Sequence, residues 1–591
     1  MRRFKSEFNH VPKGFNHILT RSFFISAFVA ASLFAVASAS ASGPSAGSQP
    51  AAAIPTALVS ASDVHALLDQ VERLVQQGQQ QQLQIEEQQK ELNEMRSALS
   101  ATTSFGTPTS YSSSTNPAYA LDNASVNLKL GGASVSVTAS PQALPAAKDQ
   151  TAPLYINIGN ARFTPGGWAD FTSIYRTVDV GSGLGTSFGS VPFNNMVTGG
   201  LSETRFTAQS SRLSLRADET VGRTKVYGYA EADFNGYQPQ NAYVSTNADT
   251  FRLRVFFLNL NRGKWDVLGG QSWSLLTPNR IGLSPFLNEI YNTIHLDTNY
   301  QVGLTYARQP LVRAIYHFTP NVHLGLSVEN PEQYVGSAVT FPTLFSNTEV
   351  DTNSTPTSSS AGGNTTTPNL HPDVILKLAA DKQIAGHNYH IETAGLLTPI
   401  ALDTLASVTK LPYTVKNEHE AGGVSVNGNY ELFKGFHLIT TAFWSDGGGR
   451  YIGGLGPAFA VAQYGSKSAP FTAQIIHAGS GIGGFEWQAT KNTLIATEYS
   501  GAYFQRRYST DPSTGTLVGY GYVGSANTNN RAIQEGTFAS QTTVWKSAPY
   551  GALQLMTQSS YVTRAPWYVA AGAPKNAHTY MEYLDIRYVL P

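Results

Sequence analysis

The sequence predicts an all-β protein, a transmembrane antiparallel β-barrel, and three observations carry that prediction. First, residues 211–273 read as four strands in two hairpins. Arg212, Ser214, Arg216 and Asp218 share one face and Leu213, Leu215 and Ala217 the other, the period of two that sends side chains to opposite sides of a sheet. The alternation returns with Glu231 and Asp233 opposite Val226, Ala230, Ala232 and Phe234, then in Arg252-Leu253-Arg254-Val255 and in 265–271. Second, the polar face carries Arg, Glu and Asp at successive positions, which suits a water-filled lumen with lipid outside better than one face of a soluble sandwich. Third, the 591 residues are only 13% charged and 11% aromatic, with 53 Gly and 29 Tyr, and no segment after the leader holds the apolar run of a membrane helix. A chain of this kind that crosses a membrane again does so as a barrel.

The elements follow in order. Arg2, Arg3, Lys5, Lys13 and Arg21 precede a mostly apolar run over 23–36, and small-residue sites at 35–37 and 39–41 follow it. Residues 1–41 therefore read as a signal peptide; an uncleaved anchor helix is the alternative, weakened by a run short of the ~20 residues that span a bilayer. After a linker over 42–61, Ser62 caps a predicted helix to residue 101. Val64, Val71, Gly78, Ile85, Leu92 and Leu99 recur every seven residues, with Leu67, Leu74, Gln81, Gln88 and Met95 between them. That is a coiled-coil seam. Its centre is weak, since Gly78 costs about 1 kcal/mol against Ala in a helix and two glutamines stand where apolar knobs belong. A Gln-rich tether is the other reading. Residues 102–150 form a Ser/Thr/Pro-rich linker with one short strand at 125–130, and 151–591 form the barrel.

Within the barrel, short turns are expected at 219–223, 261–264, 319–321, 381–387, 433–435, 490–492 and 546–550. Long loops are expected at 178–203, 237–249, 277–305, 331–371, 398–418, 447–481, 505–532 and 564–578. Seven turns and eight loops imply sixteen strands with both ends on the short-turn, periplasmic side. The strand near 483–489 is the least regular. The last strand, from Thr579, alternates Leu584, Ile586, Tyr588 and Leu590 against Tyr583, Asp585 and Arg587.

Several short motifs resemble the DcaP-like outer-membrane porins. They are Ser211-Arg212-Leu213, Glu231-Ala232-Asp233-Phe234, Phe251-Arg252-Leu253-Arg254, Gly270-Gln271-Ser272-Trp273-Ser274, Arg308-Gln309, Glu329-Asn330-Pro331-Glu332 and Gly449-Arg450-Tyr451-Ile452, in the family's order. The resemblance covers the barrel and the preceding heptads. It implies a trimeric channel with a sixteen-stranded barrel and an N-terminal coiled coil. It also implies, as in general porins, that the third loop (277–305, with Pro278, Arg280, Pro285, Phe286, Asn288, Glu289 and Tyr291) folds inward and narrows the channel. Two departures stand out: the chain ends Tyr588-Val589-Leu590-Pro591 without the usual terminal aromatic, and a Ser/Thr-rich insert occupies 351–368.

The inward basic residues are expected to be Arg212, Arg216, Arg252, Arg254 and Arg313, with Arg308 at a strand end and Glu231 and Asp233 facing them. Arginine keeps its charge at any relevant pH and grips a carboxylate with two hydrogen bonds, so a ladder of them would pass small anions by weak successive binding. The plainer reading is that these charges pair with one another and line the wall. The parity that turns Arg254 inward also turns Phe256 inward. Other chemistry finds little support. Gly479-x-Gly481-x-x-Gly484 lacks the strand–helix setting of a dinucleotide site. His387 and His390 lie at a turn, not on a helix with a Glu base. No Ser/His/acid set is evident, and no cofactor is expected. The absence of Cys excludes thiolate metal sites, and zero net charge with no outer basic patch gives nucleic acid no purchase. The expected function is passive diffusion of small polar, anionic solutes through a homotrimer in outer-membrane lipid, with the coiled coil reaching the periplasmic cell wall. The alternatives are an occluded barrel that anchors the coil and, more distantly, an enzyme held in a barrel.

Overall fold

The computed structural model describes residues 126–130, 133–138, 155–236, 247, 249–286, 294–332, 334–335, 339–345, 371–405, 414–547 and 549–591. The signal peptide and coiled coil expected over 1–101 lie outside them. Val126–Leu130, Ala133–Thr138 and Tyr155–Ile158 pair in series, and the last of them pairs with the start of the barrel.

The barrel is a closed antiparallel sheet of sixteen strands. They are β1 (Ala161–Arg176), β2 in two pieces (Glu203–Thr207 and Arg212–Val221), β3 (Thr224–Asp233), β4 (Arg252–Arg262), β5 (Trp265–Trp273), β6 (Arg308–Thr319), β7 (Val322–Glu329) and β8 (Asp373–Ile384). Then come β9 (His387–Leu405), β10 (Thr414–Phe433), β11 (Phe436–Asp446), β12 (His477–Gln488), β13 (Thr493–Phe504), β14 (Asn530–Ser547), β15 (Gly551–Pro566) and β16 (Ala577–Val589). Closure runs from Met581 opposite Arg176 to Val589 opposite Trp168. Closure leaves the barrel no free sheet edge, the condition for crossing a membrane in strands.

Both pieces of β2 pair with β1. Gly167 makes their junction possible: its φ is 129°, and a Cβ there would lie 2.1 Å from the Arg212 carbonyl oxygen. The seven short turns fall where expected, and at Ala385-Gly386 both residues have positive φ, 52° and 83°, the primed turn that suits a twisted hairpin. The outer face is apolar, with Leu213, Leu258, Leu376, Leu397, Val424, Leu584 and Ile586 all exposed. Aromatic residues, including Trp265, Phe318, Phe433, Trp487, Trp545 and Tyr550, cluster near the short turns, as membrane barrels place them at an interface.

Two expectations are corrected. Phe256 points outward, at 61% exposure, while Phe257 is 2% exposed. A bulge explains it: Glu231 pairs with Val255 and Ala232 with Leu253, leaving Arg254 as the extra residue, and an extra residue reverses the facing of all that follows. The loop expected at 398–418 is mostly strand, because β9 and β10 stay paired out to Leu405 opposite Thr414. Two other loops contain hairpins of their own, Phe459–Gln463 with Phe471–Ile475 and Arg507–Thr510 with Leu517–Tyr520.

The inner face is also less uniformly polar than a water-filled tube requires. Ile174, Ile315, Ile375, Leu396, Ile533, Met556 and Met581 belong to a buried cluster with Leu184, Phe188, Leu275, Leu296, Tyr451 and Phe459 from the long loops. The loops therefore pack inside the barrel, and the inward apolar residues are their docking points.

Candidate functional site

The described residues of the third long loop, between β5 and β6, form no sheet of their own, so their backbone N–H groups need other acceptors. The barrel wall supplies them. Leu275 N–H donates to Glu329 Oε1 at 2.8 Å, Gly282 N–H to Asp381 Oδ2 at 3.0 Å and Asn279 N–H to Glu392 Oε1 at 3.1 Å. Farther along, Leu296 N–H donates to Gln558 Oε1 at 2.7 Å and Val302 N–H to Glu535 Oε2 at 2.9 Å. Side chains add Arg280 to Glu486, His295 to Glu498 at 3.1 Å, and Tyr583 O–H to Asp297 at 2.9 Å. These partners sit on β7 to β9 and β12 to β16, so the loop crosses the interior as expected and is held along much of its length. Lys377, fully buried, donates to Glu392 at 2.7 Å, to the Thr277 carbonyl at 2.8 Å and to Asn279 Oδ1 at 3.1 Å, the full complement of an ammonium. At Gly303 a Cβ would come within 2.6 Å of the Gly501 carbonyl oxygen, so the loop backbone lies directly on the wall.

The charge is concentrated on β2 to β4, which the loop meets through Phe286, Thr298 and Tyr300; Arg254 donates to Tyr300 Oη at 3.2 Å. Arg254 reaches Glu231 at 2.6 Å and Asp233 at 2.8 Å, Arg252 reaches Asp233 at 2.7 Å, and Arg212 lies 3.3 Å from Glu231. Arg212 and Arg587 both lie over the Trp168 ring, at 4.2 and 4.8 Å, and Arg308 lies over Trp273 at 5.3 Å. The structure thus brings Arg212, Arg252, Arg254, Glu231 and Asp233 together. Arg216 is paired differently, with Asp218 at 2.7 Å, and its guanidinium lies 4.9 Å from the Phe286 ring of the third loop. Arg313 stands apart in a cavity of about 330 Å³ with Asn259, Asp266, His317 and His323; it is 4% exposed and its Nε and Nη2 have no hydrogen-bond partner. Neither Arg308 nor Arg313 forms an ion pair among the described residues.

Sequence reading missed several members. Asp170 and Asp585 pair with Arg587 at 2.8 and 3.1 Å, and Asp218 neutralises Arg216. Each occupies an inward position of an alternating strand, so the same parity that selected the arginines would have found them. The wall carboxylates that hold the third loop carry the same inward signal, but nothing local says what each one faces. Three of the quoted motifs also converge. Arg450 bonds Asp373 and, at 3.1 Å, Gln309 Oε1; Gln309 donates in turn to Glu329, and Tyr451 O–H to Asp373 at 2.7 Å. Burial works against the Arg450 charge, yet Tyr451, Asp373 and Glu332 outweigh it and raise its pKa. His390 accompanies Asp381 at 2.8 Å and Glu392 at 3.3 Å inside the barrel, and Gly479, Gly481 and Gly484 all lie within β12.

No family model and no curated protein matches the sequence. Among solved structures, the outer membrane channel DcaP of Acinetobacter baumannii matches over 73% of this chain and 98% of its own, with 16% identity and a TM-score of 0.51. The anion-selective porin from Comamonas acidovorans matches over 73% and 100%, with 11% identity and a TM-score of 0.39. OprB of Pseudomonas putida matches over 72% and 94%, with 10% identity and a TM-score of 0.37. In fold, this closed sixteen-stranded barrel resembles the DcaP-like outer-membrane channels.

Proposed function

We propose that this protein is a porin of the bacterial outer membrane through which small polar solutes diffuse passively, with a preference for small carboxylate anions. The observation that carries the preference is charge bookkeeping on the wall. Three guanidiniums, Arg212, Arg252 and Arg254, share two carboxylates, Glu231 and Asp233, and Arg308 adds a fourth positive charge beside them. Arg587 adds a fifth, held by Asp170 and Asp585, so five arginines face four carboxylates and pairing leaves one positive charge over. The surplus acts within a Debye length, about 8 Å at physiological ionic strength, and a passing carboxylate meets in Arg308 a guanidinium with no ion pair among the described residues, whose fork suits its geometry; Arg252 already spends Nε and Nη2 on Asp233. Glu231 and Asp233 serve to hold the guanidiniums in place. No catalytic role is proposed. The barrel is proposed to assemble as a homotrimer in outer-membrane lipid, with the heptads from Val64 to Leu99 reaching the periplasmic cell wall.

The test is the reversal potential of the purified channel under a salt gradient, for the wild type and for Arg252→Ser/Arg308→Ser. The expected result is anion preference in the wild type and a shift toward non-selectivity in the variant. Cation preference in the wild type, or no shift, would remove the arginine argument. A second reading has its own support: the loops pack a continuous apolar cluster inside the barrel, as an occluded anchor for the coil would. Absence of any conductance in planar bilayers would favour it.

A further inference from the structure

A group of arginines stands on the outside of the barrel, at the long-loop ends of β13, β14 and β15. Trp567, one residue past β15, sits at its centre. Its indole N–H donates to the Phe504 carbonyl and its main-chain N–H to the Asn529 carbonyl, both at 2.9 Å, so the ring is fixed. The Arg506 guanidinium lies 5.4 Å from the ring centre and that of Arg531 6.0 Å. Arg531 reaches it as the extra residue of a bulge, between Asn530 opposite Pro566 and Ala532 opposite Ala565, the device that re-aims a side chain. Arg506 is exposed and Arg531 half-buried, and neither forms an ion pair among the described residues. Exposed Arg507 spends its Nε on the Ile475 carbonyl at 3.1 Å and adds a third charge. The acids of this region are committed elsewhere. Asp446, at the end of β11, is held by His477, and buried Asp511 accepts from the Thr343 N–H at 2.9 Å and its O–H at 2.7 Å.

Aromatic residues set the depth of these charges. Tyr503 packs edge to face on Trp567, with ring centres 6.1 Å apart, and it turns outward because Ala502 and Phe504 on either side of it are buried. Tyr503 stands opposite Gly479, which stands opposite Trp444, so two outward rings share one level on β11 and β13. Trp and Tyr rings in such a row mark the headgroup level of a membrane barrel. Farther toward the short turns, Tyr499 and Tyr561, both exposed, flank Gly536 from the two neighbouring strands. At Gly536 a Cβ would meet only the Tyr499 ring, at 4.0 Å, which leaves a notch between the two tyrosines on the lipid face. Guanidiniums without carboxylate partners at headgroup depth suit phosphate, whose oxygens match the arginine fork. The exposed rings below them suit an acyl chain, which a free anion does not carry.

We propose that this rim is a docking site for a phosphorylated lipid of the outer leaflet. One phosphate lies between Arg506 and Arg531 beside Trp567, and an acyl chain descends over Gly536 between Tyr499 and Tyr561. The proposal rests on the outer-membrane reading but not on the anion path, because the cluster faces lipid and the charged wall faces the lumen.

The probe is lipid A with both phosphates, titrated into the full-length protein in detergent and read by native mass spectrometry. The same lipid stripped of its phosphates and inorganic phosphate are the controls. Wild type is expected to retain the phosphorylated lipid and to bind the stripped lipid about tenfold more weakly, the effect of losing charge-assisted hydrogen bonds. Arg506→Ser/Arg531→Ser is expected to show the same loss for the phosphorylated lipid with an unchanged reversal potential. Absence of lipid binding in the wild type would overturn the proposal and leave a second copy of the barrel to cover this face. Equal binding of the two lipids, or undiminished binding by the folded variant, would overturn it as well. Displacement of the lipid by inorganic phosphate at equal concentration would assign the arginines to a free anion instead. The two wild-type lipid titrations decide the matter without the variant should it fail to fold. Conductance and reversal potential are measured separately, so failure of the channel reading and failure of this one are told apart.

Discussion

Arg254 is the residue on which the wall depends. It is the extra residue of the β4 bulge, 2% exposed, and among the described residues it alone bridges Glu231 and Asp233. Shortening it leaves two buried carboxylates with weaker compensation, Arg212 at 3.3 Å from one and Arg252 on the other. Breaking a buried pair of this sort costs about 3–5 kcal/mol. Arg254→Ala is therefore expected to lower the urea midpoint of the refolded barrel clearly. Arg254→Lys should fall between it and the wild type, since a point charge cannot reproduce a fork that spans two acids. A midpoint unchanged in Arg254→Ala would show that Arg212 and Arg252 suffice.

At the scale of the element, the third loop is held by acceptors on the wall, and one of its anchors titrates. Burial works against charging His295, but its hydrogen bond to Glu498 and the nearby charges of Glu498, Glu535 and Asp297 outweigh it and raise its pKa above the ordinary 6.5. For a group whose pKa is raised on folding, the stabilisation is complete below the ordinary value and is lost as pH rises through the folded value. The loop should accordingly be held more firmly below the ordinary imidazole range and loosen as pH rises through that raised value. The expected outcome is faster hydrogen exchange at the loop amides 294–302 as pH rises, after correction for the intrinsic rate. His295→Gln should remove that pH dependence. A corrected rate that stays flat in the wild type would show that the backbone anchors alone hold the loop.

At the scale of the whole molecule, closure of β16 on β1 uses residues Trp168 to Arg176 and Met581 to Val589, while Ile156 to Ile158 pair at the other end of β1, with Ala161 to Phe163. Removing residues 43–150 is thus expected to leave a closed barrel that still runs as a trimer in mild detergent. A monomer after truncation would assign assembly to the coil, whose weak centre at Gly78, Gln81 and Gln88 argues otherwise.

The barrel could be read from the sequence because its signal is local. Alternation with a period of two, interrupted by short turns, is sufficient to state which side chains face lipid, and it located all seven turns. Parity also picked out Arg212, Arg252, Arg254, Glu231 and Asp233 as neighbours on one face, since adjacent strands lie only about 4.8 Å apart. It failed at Phe256, where one inserted residue reversed the facing, and at 398–418, where β9 and β10 remain paired although the alternation fades. What the tertiary structure alone decided is the traffic across the interior: that Glu392, Glu486, Glu498 and Glu535 hold a loop, that Arg313 stands apart from the arginine wall, and that Gln301 is buried with its amide unpaired. The loop's partners on the wall are up to 286 residues away in the chain. Period and parity assign a side chain to a face, but the group it meets across a barrel is set by how the loops fold back, and no local pattern encodes that.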